Sequence, residues 1–286
     1  METSELLKKV RKIEIKTKRL TNNLFTGQYH SAFKGKGMLF SEVRKYVPGD
    51  DVRDIDWNVT AKLSEPYIKI FEEERELTLM LMVDVSGSEL FGTSMLKKDI
   101  ITEICAVLSF SAMQNNDKVG VLFFTDEIEL FIPPKKGKKH ILRIIRELIN
   151  FKPTRKKTNI SKACQYLNNI VKKKSIIFIL SDFLDNNFQQ SLNLLSKKHD
   201  LNGIRVYDKF EKSLFPIGLS LFFDPETDSH LWVDTADKEV RNNIQKSFYD
   251  KEIYCKKSFL KTGGSIVDIS TNESYVVKLL ELFKKK

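Results

Sequence analysis

The sequence predicts an α/β protein with a mainly parallel sheet that is covered by helices on both faces. Two runs, 77–83 and 176–180, are apolar apart from Thr78 and show no alternation with polar residues, which is typical of strands buried on both faces. Segments with helical spacing of apolar residues separate the strand-like runs. Asp84 follows the first run, and the pair Ser181-Asp182 follows the second. The carboxyl ends of these two strands are therefore the first candidates for a functional site.

The chain before the first buried strand is predicted to be an extension. Residues 1–25 carry apolar side chains near helical spacing among Lys, Arg and Glu, which predicts an amphipathic helix. We expect residues 1–75 to form a helical and irregular N-terminal extension that packs on the main domain, residues 76–286.

Within this extension, residues 29–69 have a distinct character. They combine glycines, a Pro48-Gly49 turn and interleaved charges and aromatics with little periodicity. A dense polar cluster runs from Asp50 to Trp57. We interpret this cluster as an internal network of ion pairs and turns rather than a catalytic site.

Beyond Asp84 the main domain alternates between helix-like and strand-like segments. Residues 119–132 are predicted to form a hairpin. A second, small hairpin is expected as an insertion near residues 211–235, because two strand-like pieces flank the turn that begins at Asp224. Helices are predicted over 95–115, 141–151, 158–171, 188–198, 238–261 and 273–283, and strands over 119–124, 128–132, 175–180, 204–207 and 265–269.

The composition is that of a soluble globular protein, with 41% hydrophobic and 30% charged residues. The chain has no run of about 18 apolar residues, the length needed to cross a bilayer, so no transmembrane segment is predicted. Charged residues occupy the N-terminus, Met1 to Lys9, where a signal peptide has an apolar core. These features predict a cytoplasmic location.

The formal net charge of +10 is compatible with two kinds of partner. A basic surface attracts nucleic acid, and it also attracts an acidic protein surface. The lysines are spread along the chain, mostly at predicted helix ends and in loops, where cations offset helix dipoles and keep the surface solvated. These structural roles are the first explanation of the positive charge, and an acidic protein partner is the next best.

The cysteines and histidines do not form a metal-binding or nucleophile pattern. Cys105, Cys164 and Cys255 lie far apart inside apolar segments, without a C-x-x-C pair. They are therefore predicted to be buried, reduced thiols. The four histidines are scattered, so neither a zinc site nor a Cys-His catalytic pair is predicted.

The loop after the first buried strand carries three hard oxygen donors in an Asp-x-Ser-x-Ser pattern, Asp84, Ser86 and Ser88. One carboxylate with neutral hydroxyls suits Mg²⁺ or Mn²⁺, which prefer near-octahedral oxygen ligands and keep positions open for water or a partner's carboxylate. Asp182 supplies another carboxylate at a strand end. Thr158 opens a predicted helix, where a threonine taken alone is an ordinary helix cap.

This combination resembles the metal-ion-dependent adhesion site of von Willebrand factor A domains. The resemblance implies a Rossmann-like sheet with strand order 3-2-1-4-5-6, in which the strands ending at Asp84 and Asp182 are neighbours. An open metal position of this kind prefers a Glu or Asp from another protein. The ligands implied are Asp84, Ser86, Ser88, Thr158 and Asp182, and the partner-binding residues expected beside them are Gly87, Glu89 and Asp185.

A longer ordered pattern runs along the chain. It consists of Phe33-x-Gly-x-Gly, the stretch from Glu42-Val-Arg to Ile55-Asp-Trp-Asn, Phe71-Glu-Glu-Glu-Arg, Ser181-Asp-Phe-Leu-Asp and Arg205-Val-Tyr-Asp. This pattern is similar to a bacterial family known as domain of unknown function 58. Members carry a von Willebrand A-like domain and are typically linked to a MoxR-type AAA+ ATPase. The resemblance therefore implies a non-enzymatic adaptor that binds protein partners through a metal ion.

Two other function classes stay open at this point. A Mg²⁺-dependent phosphohydrolase would use Asp84 as its nucleophile, but such enzymes commonly have a second carboxylate two positions later, where this chain has Ser86. Nucleic-acid binding rests on the net charge. The sequence leaves the oligomeric state open.

Overall fold

The computed structural model describes residues 3–20, 39–72, 77–93 and 95–284. The helices are α1 Thr3–Leu20, α2 Trp57–Leu63, α3 Lys97–Gln114, α4 Lys138–Asn150, α5 Ile160–Ile170, α6 Gln189–Ser196, α7 Lys209–Lys212, α8 Lys238–Lys261 and α9 Tyr275–Lys284. The strands are β1 Leu39–Lys45, β2 Tyr67–Glu72, β3 Thr78–Asp84, β4 Lys118–Phe124, β5 Ile128–Lys135, β6 Ile176–Ser181, β7 Asp200–Tyr207, β8 Leu219–Asp224, β9 Ser229–Asp234 and β10 Ser265–Ser270. Short 3₁₀ turns occupy Val52–Asp54 and Gly87–Leu90.

The central sheet has six strands in the order β10-β7-β6-β3-β4-β5. All neighbouring pairs are parallel except β4 and β5, which form the predicted hairpin. Counted from β3 and read from the β5 edge, the order is 3-2-1-4-5-6, so the predicted mainly parallel, von Willebrand A-like sheet is confirmed. Strand β5 continues through Pro133 and Pro134, which an edge strand tolerates because one side has no ladder partner.

Strand β3 lies at the centre of the sheet and is buried on both faces. Leu81 and Val83 point into one apolar cluster, while Met80 and Met82 point into the other. Each of these side chains is at most 1% exposed. Since neighbouring strand residues point to opposite faces, a strand between two helical layers needs apolar residues at every position.

Two layers of helices cover the sheet. One face packs against α1, α3, α4 and α9, and the other packs against α5, α6 and α8. The amphipathic helix expected within residues 1–25 is present as α1, and its buried Val10 belongs to the first of these layers. Residues 21–25 lie outside the described part of the chain.

The chain divides into two compact units. The first unit comprises Met1–Phe33 together with Leu77–Lys286, and the second comprises Lys34–Glu76. The extension expected over residues 1–75 is thus in two parts, because α1 belongs to the unit that contains the large sheet. The separation has a physical reason: α1 has an apolar stripe that needs the cover of other helices.

The second unit contains an antiparallel pair, β1 and β2, with α2 between them in the sequence. Arg44 binds Asp50 through two hydrogen bonds of 2.9 and 2.8 Å. Asp51 caps the 3₁₀ turn, and the Asp56 side chain accepts hydrogen bonds from the first backbone amides of α2. The network of ion pairs and turns predicted between Asp50 and Trp57 is therefore confirmed.

The insertion near residues 211–235 forms a separate two-stranded antiparallel sheet, β8 with β9, as predicted. Cys105, Cys164 and Cys255 are free and buried, and burial raises the pKa of each thiol, which confirms their predicted state. Among the helices of the described ranges, none combines the length and apolar character that crossing a bilayer requires.

Leu81 provides a test of the central position of β3. Replacing this fully buried side chain by Ala leaves a cavity between two helical layers, so Leu81→Ala should lower the free energy of unfolding by about 2–5 kcal/mol. The measurement is the midpoint of urea unfolding. The matched control is Leu260→Ala, because Leu260 is 73% exposed. Equal midpoints for the two variants would contradict the assignment of β3 to the core.

Candidate functional site

The site lies where β3 and β6 end side by side. Val83 pairs with Leu180 in the parallel ladder, so Asp84 and Asp182 emerge at the same edge of the sheet. The helices that follow these strands, α3 and α6, lie on opposite faces of the sheet. This divergence opens a crevice above the strand ends, which is the usual binding position in open α/β sheets.

Asp84 is buried and held by hydrogen bonds to both of its carboxylate oxygens. Oδ1 accepts from the backbone amide of Ser86 at 2.9 Å, and Oδ2 accepts from the hydroxyl of Ser181 at 2.7 Å. Only 2% of the residue is exposed. These contacts fix the carboxylate at the end of β3, facing the end of β6.

The two serines of the Asp-x-Ser-x-Ser loop lie together. The hydroxyl oxygens of Ser86 and Ser88 are 3.1 Å apart, and both residues are buried. The 3₁₀ turn that begins at Gly87 brings the loop back toward the sheet. The amide of Gly87 donates to the carbonyl of Lys156 at 2.9 Å, which brings the segment before α5 next to this loop.

Thr158 lies in that segment, but it does not cap the helix. Helix α5 begins at Ile160, and its cap is Asn159, whose side chain accepts from the amide of Lys162. The hydroxyl of Thr158 is buried and has no hydrogen-bond partner among the described residues. An ordinary capping role therefore does not explain this threonine, and its buried oxygen is available to a ligand.

Asp182 is paired with a lysine that the sequence analysis did not identify. The ammonium of Lys97 lies 2.8 Å from Asp182 Oδ2 and 2.8 Å from Glu211 Oε1, and Lys97 is fully buried. Burial is the largest influence on Asp182 and would raise its pKa, but the charge of Lys97 together with hydrogen bonds from Lys97, Ser88 and the amide of Leu184 lowers it. Burial likewise opposes the charge on Lys97, yet the surrounding carboxylates keep the pKa of the ammonium raised.

Glu89 contributes a third carboxyl group inside the site. It is 2% exposed, and its Oε1 accepts from the amide of Asp182 at 3.1 Å. Its Oε2 is buried and has no hydrogen-bond partner in the described structure. Burial raises the pKa of Glu89 well above its usual range, and although Lys97 opposes this shift, the charge of Asp182 adds to it. The expected role of Glu89 in direct partner contact does not fit this burial.

Gly87 and Asp185, the other expected partner-binding residues, contact the chain itself. An added Cβ on Gly87 would lie 2.6 Å from the carbonyl oxygen of Pro225 in the β8–β9 hairpin. The carboxylate of Asp185 accepts from the amide of Ile160 at 2.8 Å and therefore holds the start of α5. The two residues support neighbouring segments of the site.

The carboxyl groups of Asp84, Glu89 and Asp182 lie close together. One oxygen from each lies within 4.8 Å of one oxygen from each of the others. Burial and the negative charge of Asp182 raise the pKa of Asp84 to about 7. Without a cation, the crowding of these carboxyl groups therefore favours the protonated forms of Asp84 and Glu89.

Lys97 and Glu211 were missed for different reasons. Lys97 is the first residue of α3, and a cation at a helix N-terminus opposes the helix dipole. That unfavourable position was the available signal that Lys97 has a specific partner. Glu211 lies in the short α7 and forms a capping box with Asp208. The Asp-x-x-Glu spacing predicts such a cap, but it does not indicate the contact with Lys97.

The comparison with known families agrees with this architecture. Residues 42–253 match the family described as "Protein of unknown function DUF58". The chain belongs to the DUF58 family. Both acidic strand ends of this DUF58 protein, Asp84 and Asp182, lie inside the matched region.

Relatives of this DUF58 protein include uncharacterized proteins of Mycobacterium tuberculosis, Rv1480, and Mycobacterium bovis, Mb1516. Each is 26% identical over 275 residues, which covers 95% of this chain and 86% of the relative. The uncharacterized protein YeaD of Bacillus subtilis is 27% identical over 121 residues, 42% of this chain and 27% of YeaD.

Solved structures similar to this DUF58 protein include the conserved hypothetical protein BatB from Bacteroides thetaiotaomicron. It has a TM-score of 0.49 and 14% identity, covering 73% of this chain and 98% of BatB. The SpRpn10 VWA domain has a TM-score of 0.40 and 9% identity, covering 74% of this chain and 96% of its own. The strand order of the sheet, rather than these low scores, identifies the fold as von Willebrand A-like.

The raised pKa of Asp84 predicts how stability depends on pH in the metal-free protein. Between its ordinary value of 3.8 and about 7, the folded state keeps a proton that the unfolded state has released. The free energy of unfolding therefore falls as pH rises through this window, by up to about 1.4 kcal/mol per pH unit from this group. Unfolding in EDTA should show a shallower slope for Asp84→Asn.

The control for this prediction is Asp234→Asn, which removes a carboxylate from an exposed position. It should keep the pH slope of the wild type. A slope that is the same in all three proteins would contradict the assignment of the shifted pKa to Asp84.

Lys97 is expected to be essential for the stability of the metal-free site. Lys97→Met leaves the buried Asp182 and the partly buried Glu211 without their cation, so the free energy of unfolding should fall by about 3–5 kcal/mol. Guanidinium unfolding in EDTA measures the change. Lys139→Met, at an exposed position of α4, is the control. If both variants unfold at the same denaturant concentration, the ion pair does not stabilise the site.

Proposed function

We propose that this DUF58 protein is a non-enzymatic protein-binding module. In this proposal Asp84, Ser86, Ser88, Thr158 and Asp182 hold Mg²⁺ or Mn²⁺, and the ion binds an acidic side chain of a partner protein. The buried, unpartnered hydroxyl of Thr158, in the segment joined to the Asp-x-Ser-x-Ser loop, is the observation that carries the proposal.

The residues present fit a divalent cation for three reasons. Thr158 Oγ1 and Glu89 Oε2 are buried oxygens without partners, and such groups are costly unless a ligand satisfies them. Asp84 and Asp182 repel each other, and two carboxylates at 4 Å cost about 4 kcal/mol at an effective dielectric of 20. All the proposed donors are oxygens, which is the ligand type that Mg²⁺ and Mn²⁺ prefer.

The chemistry of this donor set favours an acidic partner. Ser86, Ser88 and Thr158 are neutral, so only two of the five proposed ligands are carboxylates, and a near-octahedral ion would keep a position open for a further carboxylate. Asp84 is oriented for binding by Ser86 and Ser181, and Asp182 is oriented by Lys97. These contacts hold the carboxylates in place before any ligand arrives.

A basic loop beside the site supports the same partner. Lys152, Arg155, Lys156 and Lys157 are exposed, and the Lys156 carbonyl accepts a hydrogen bond from Gly87. Positive charge around the site would speed the approach of an acidic surface and would make the association sensitive to salt.

We infer that the partner system includes a MoxR-type AAA+ ATPase, with this protein acting as a cytoplasmic adaptor. The support for this step is the family resemblance described above. The site chemistry adds only that the recognised surface should offer a Glu or Asp beside other acidic residues.

The phosphohydrolase alternative gains no specific support from the site. Position 86, where a catalytic acid-base carboxylate would follow the nucleophile, is Ser86, and its hydroxyl lies against that of Ser88. Glu89 is near Asp84, but its amide contact and burial place it inside the turn.

Calorimetric titration of Mg²⁺ into the metal-stripped full chain tests the proposal. The wild type should bind one ion saturably, and the Asp84→Ala, Ser86→Ala double variant should not, because it loses a carboxylate and a hydroxyl of the site. The matched control is Asp250→Ala, Ser247→Ala, which changes the same residue types at exposed positions of α8.

Two results would decide against the proposal. Equal Mg²⁺ binding by the double variant and the wild type would show that the ion binds at another place. If the wild type binds no Mg²⁺, the metal-binding hypothesis is wrong. The loaded wild type should also leave p-nitrophenyl phosphate intact, since turnover that disappears in the double variant would favour the phosphohydrolase.

A further inference from the structure

The turn of the β8–β9 hairpin lies against the candidate metal loop. The carbonyl oxygen of Pro225 is 2.6 Å from the position that a Cβ on Gly87 would take, so the two backbones meet with no room for a side chain. Ser88, Pro225 and Glu226 line a common cavity of about 410 Å³. The hairpin therefore covers part of the crevice above the ends of β3 and β6.

Glu226, at the tip of this hairpin, lines the same cavity as Ser88. The residue is partly buried, and its pKa is raised by that burial and by the negative charge of Asp182, whereas the Ser88 hydroxyl lowers it. Glu226 therefore lies beside one proposed metal ligand, Ser88, and within the electrostatic influence of another, Asp182.

The turn is built to hold Glu226 in this position. Asp224 accepts from the amide of Glu226 at 2.9 Å and from the hydroxyl of Thr227 at 2.7 Å, which fixes the shape of the turn. On the other side, Lys156 pairs with Asp228 at 2.5 Å. Because Lys156 also accepts the hydrogen bond from Gly87, this ion pair joins the hairpin to the same loop that surrounds the site.

The hairpin thus adds the carboxyl group of Glu226 to the border of a site that contains those of Asp84, Glu89 and Asp182. The ammonium of Lys97 pairs with Asp182 and Glu211, and carboxylates this close to one another repel. A carboxylate at Glu226 would gain most from a divalent cation between it and the buried acids, and two buried oxygens of the site still have no partner.

We propose that Glu226 is an internal acidic ligand of the metal site and that the β8–β9 hairpin is a lid which it holds closed. This inference rests on the proposed metal-binding function. Glu226 takes the place on the ion that an acidic partner would take, so a partner must displace the hairpin to bind. A ligand on the same chain acts at an effective concentration on the order of millimolar, which sets a threshold that weak acidic ligands do not overcome.

Hydrogen exchange of the full chain, followed by mass spectrometry, tests this lid. In the wild type, about 5 mM Mg²⁺ should slow exchange over residues 219–234 about tenfold, because the ion would hold Glu226 and close the hairpin. In Glu226→Gln the same addition should leave exchange in the hairpin unchanged, because the neutral amide is a poor ligand. The control, Glu281→Gln, removes a carboxylate from α9 and should behave as the wild type.

Calorimetry on the same proteins separates this inference from the proposed function. Glu226→Gln should still bind Mg²⁺, about tenfold more weakly, a change of about 1.4 kcal/mol. If Glu226→Gln binds the ion with wild-type affinity and its hairpin is slowed as in the wild type, the lid is overturned while the metal site stands. If the wild type binds no ion, both proposals fall together.

Discussion

The balance of charge at the ends of β3 and β6 is the constraint on which the rest of this structure depends. The apolar strands require Asp84 and Asp182 to lie where water does not reach, and an isolated buried carboxylate costs several kcal/mol. The ion pair with Lys97 offsets this cost for Asp182. Hydrogen bonds from the Ser181 hydroxyl and the Ser86 amide offset part of it for Asp84. The raised pKa values of Asp84 and Glu89 are the consequence of placing these carboxyl groups together without a cation.

Much of the fold could be predicted because its signals are local. The apolar run before Asp84, broken only by Thr78, predicts a strand that is covered on both faces. The helical spacing of apolar residues predicts the helices that cover it. The strand order came from the resemblance to von Willebrand A domains, because pairing between distant strands leaves little trace in a single sequence. Helix starts were less certain: α5 begins at Ile160 rather than Thr158, since Asn159 is the better cap.

The acidic pair and the serine loop of the site were also predictable, while the groups around them were not. Lys97 looks like one of many surface lysines until α3 is placed on the sheet. Glu89 is a charged residue in a loop, which predicts an exposed side chain, but the 3₁₀ turn Gly87–Leu90 places it in the interior. The position of Glu226 depends on how an inserted hairpin folds back, which neither periodicity nor spacing encodes.

The β8–β9 hairpin also affects contacts between copies of the protein. Within the described part of the chain, β8 and β9 pair only with each other, so each has a free outer edge. Leu221 and Trp232, which face each other across the pair, are 50% and 62% exposed. Short sheets with free edges and apolar surfaces can exchange strands between copies. Crowded conditions should therefore favour self-association through this hairpin, and the lysine-rich remainder of the surface opposes it by mutual repulsion.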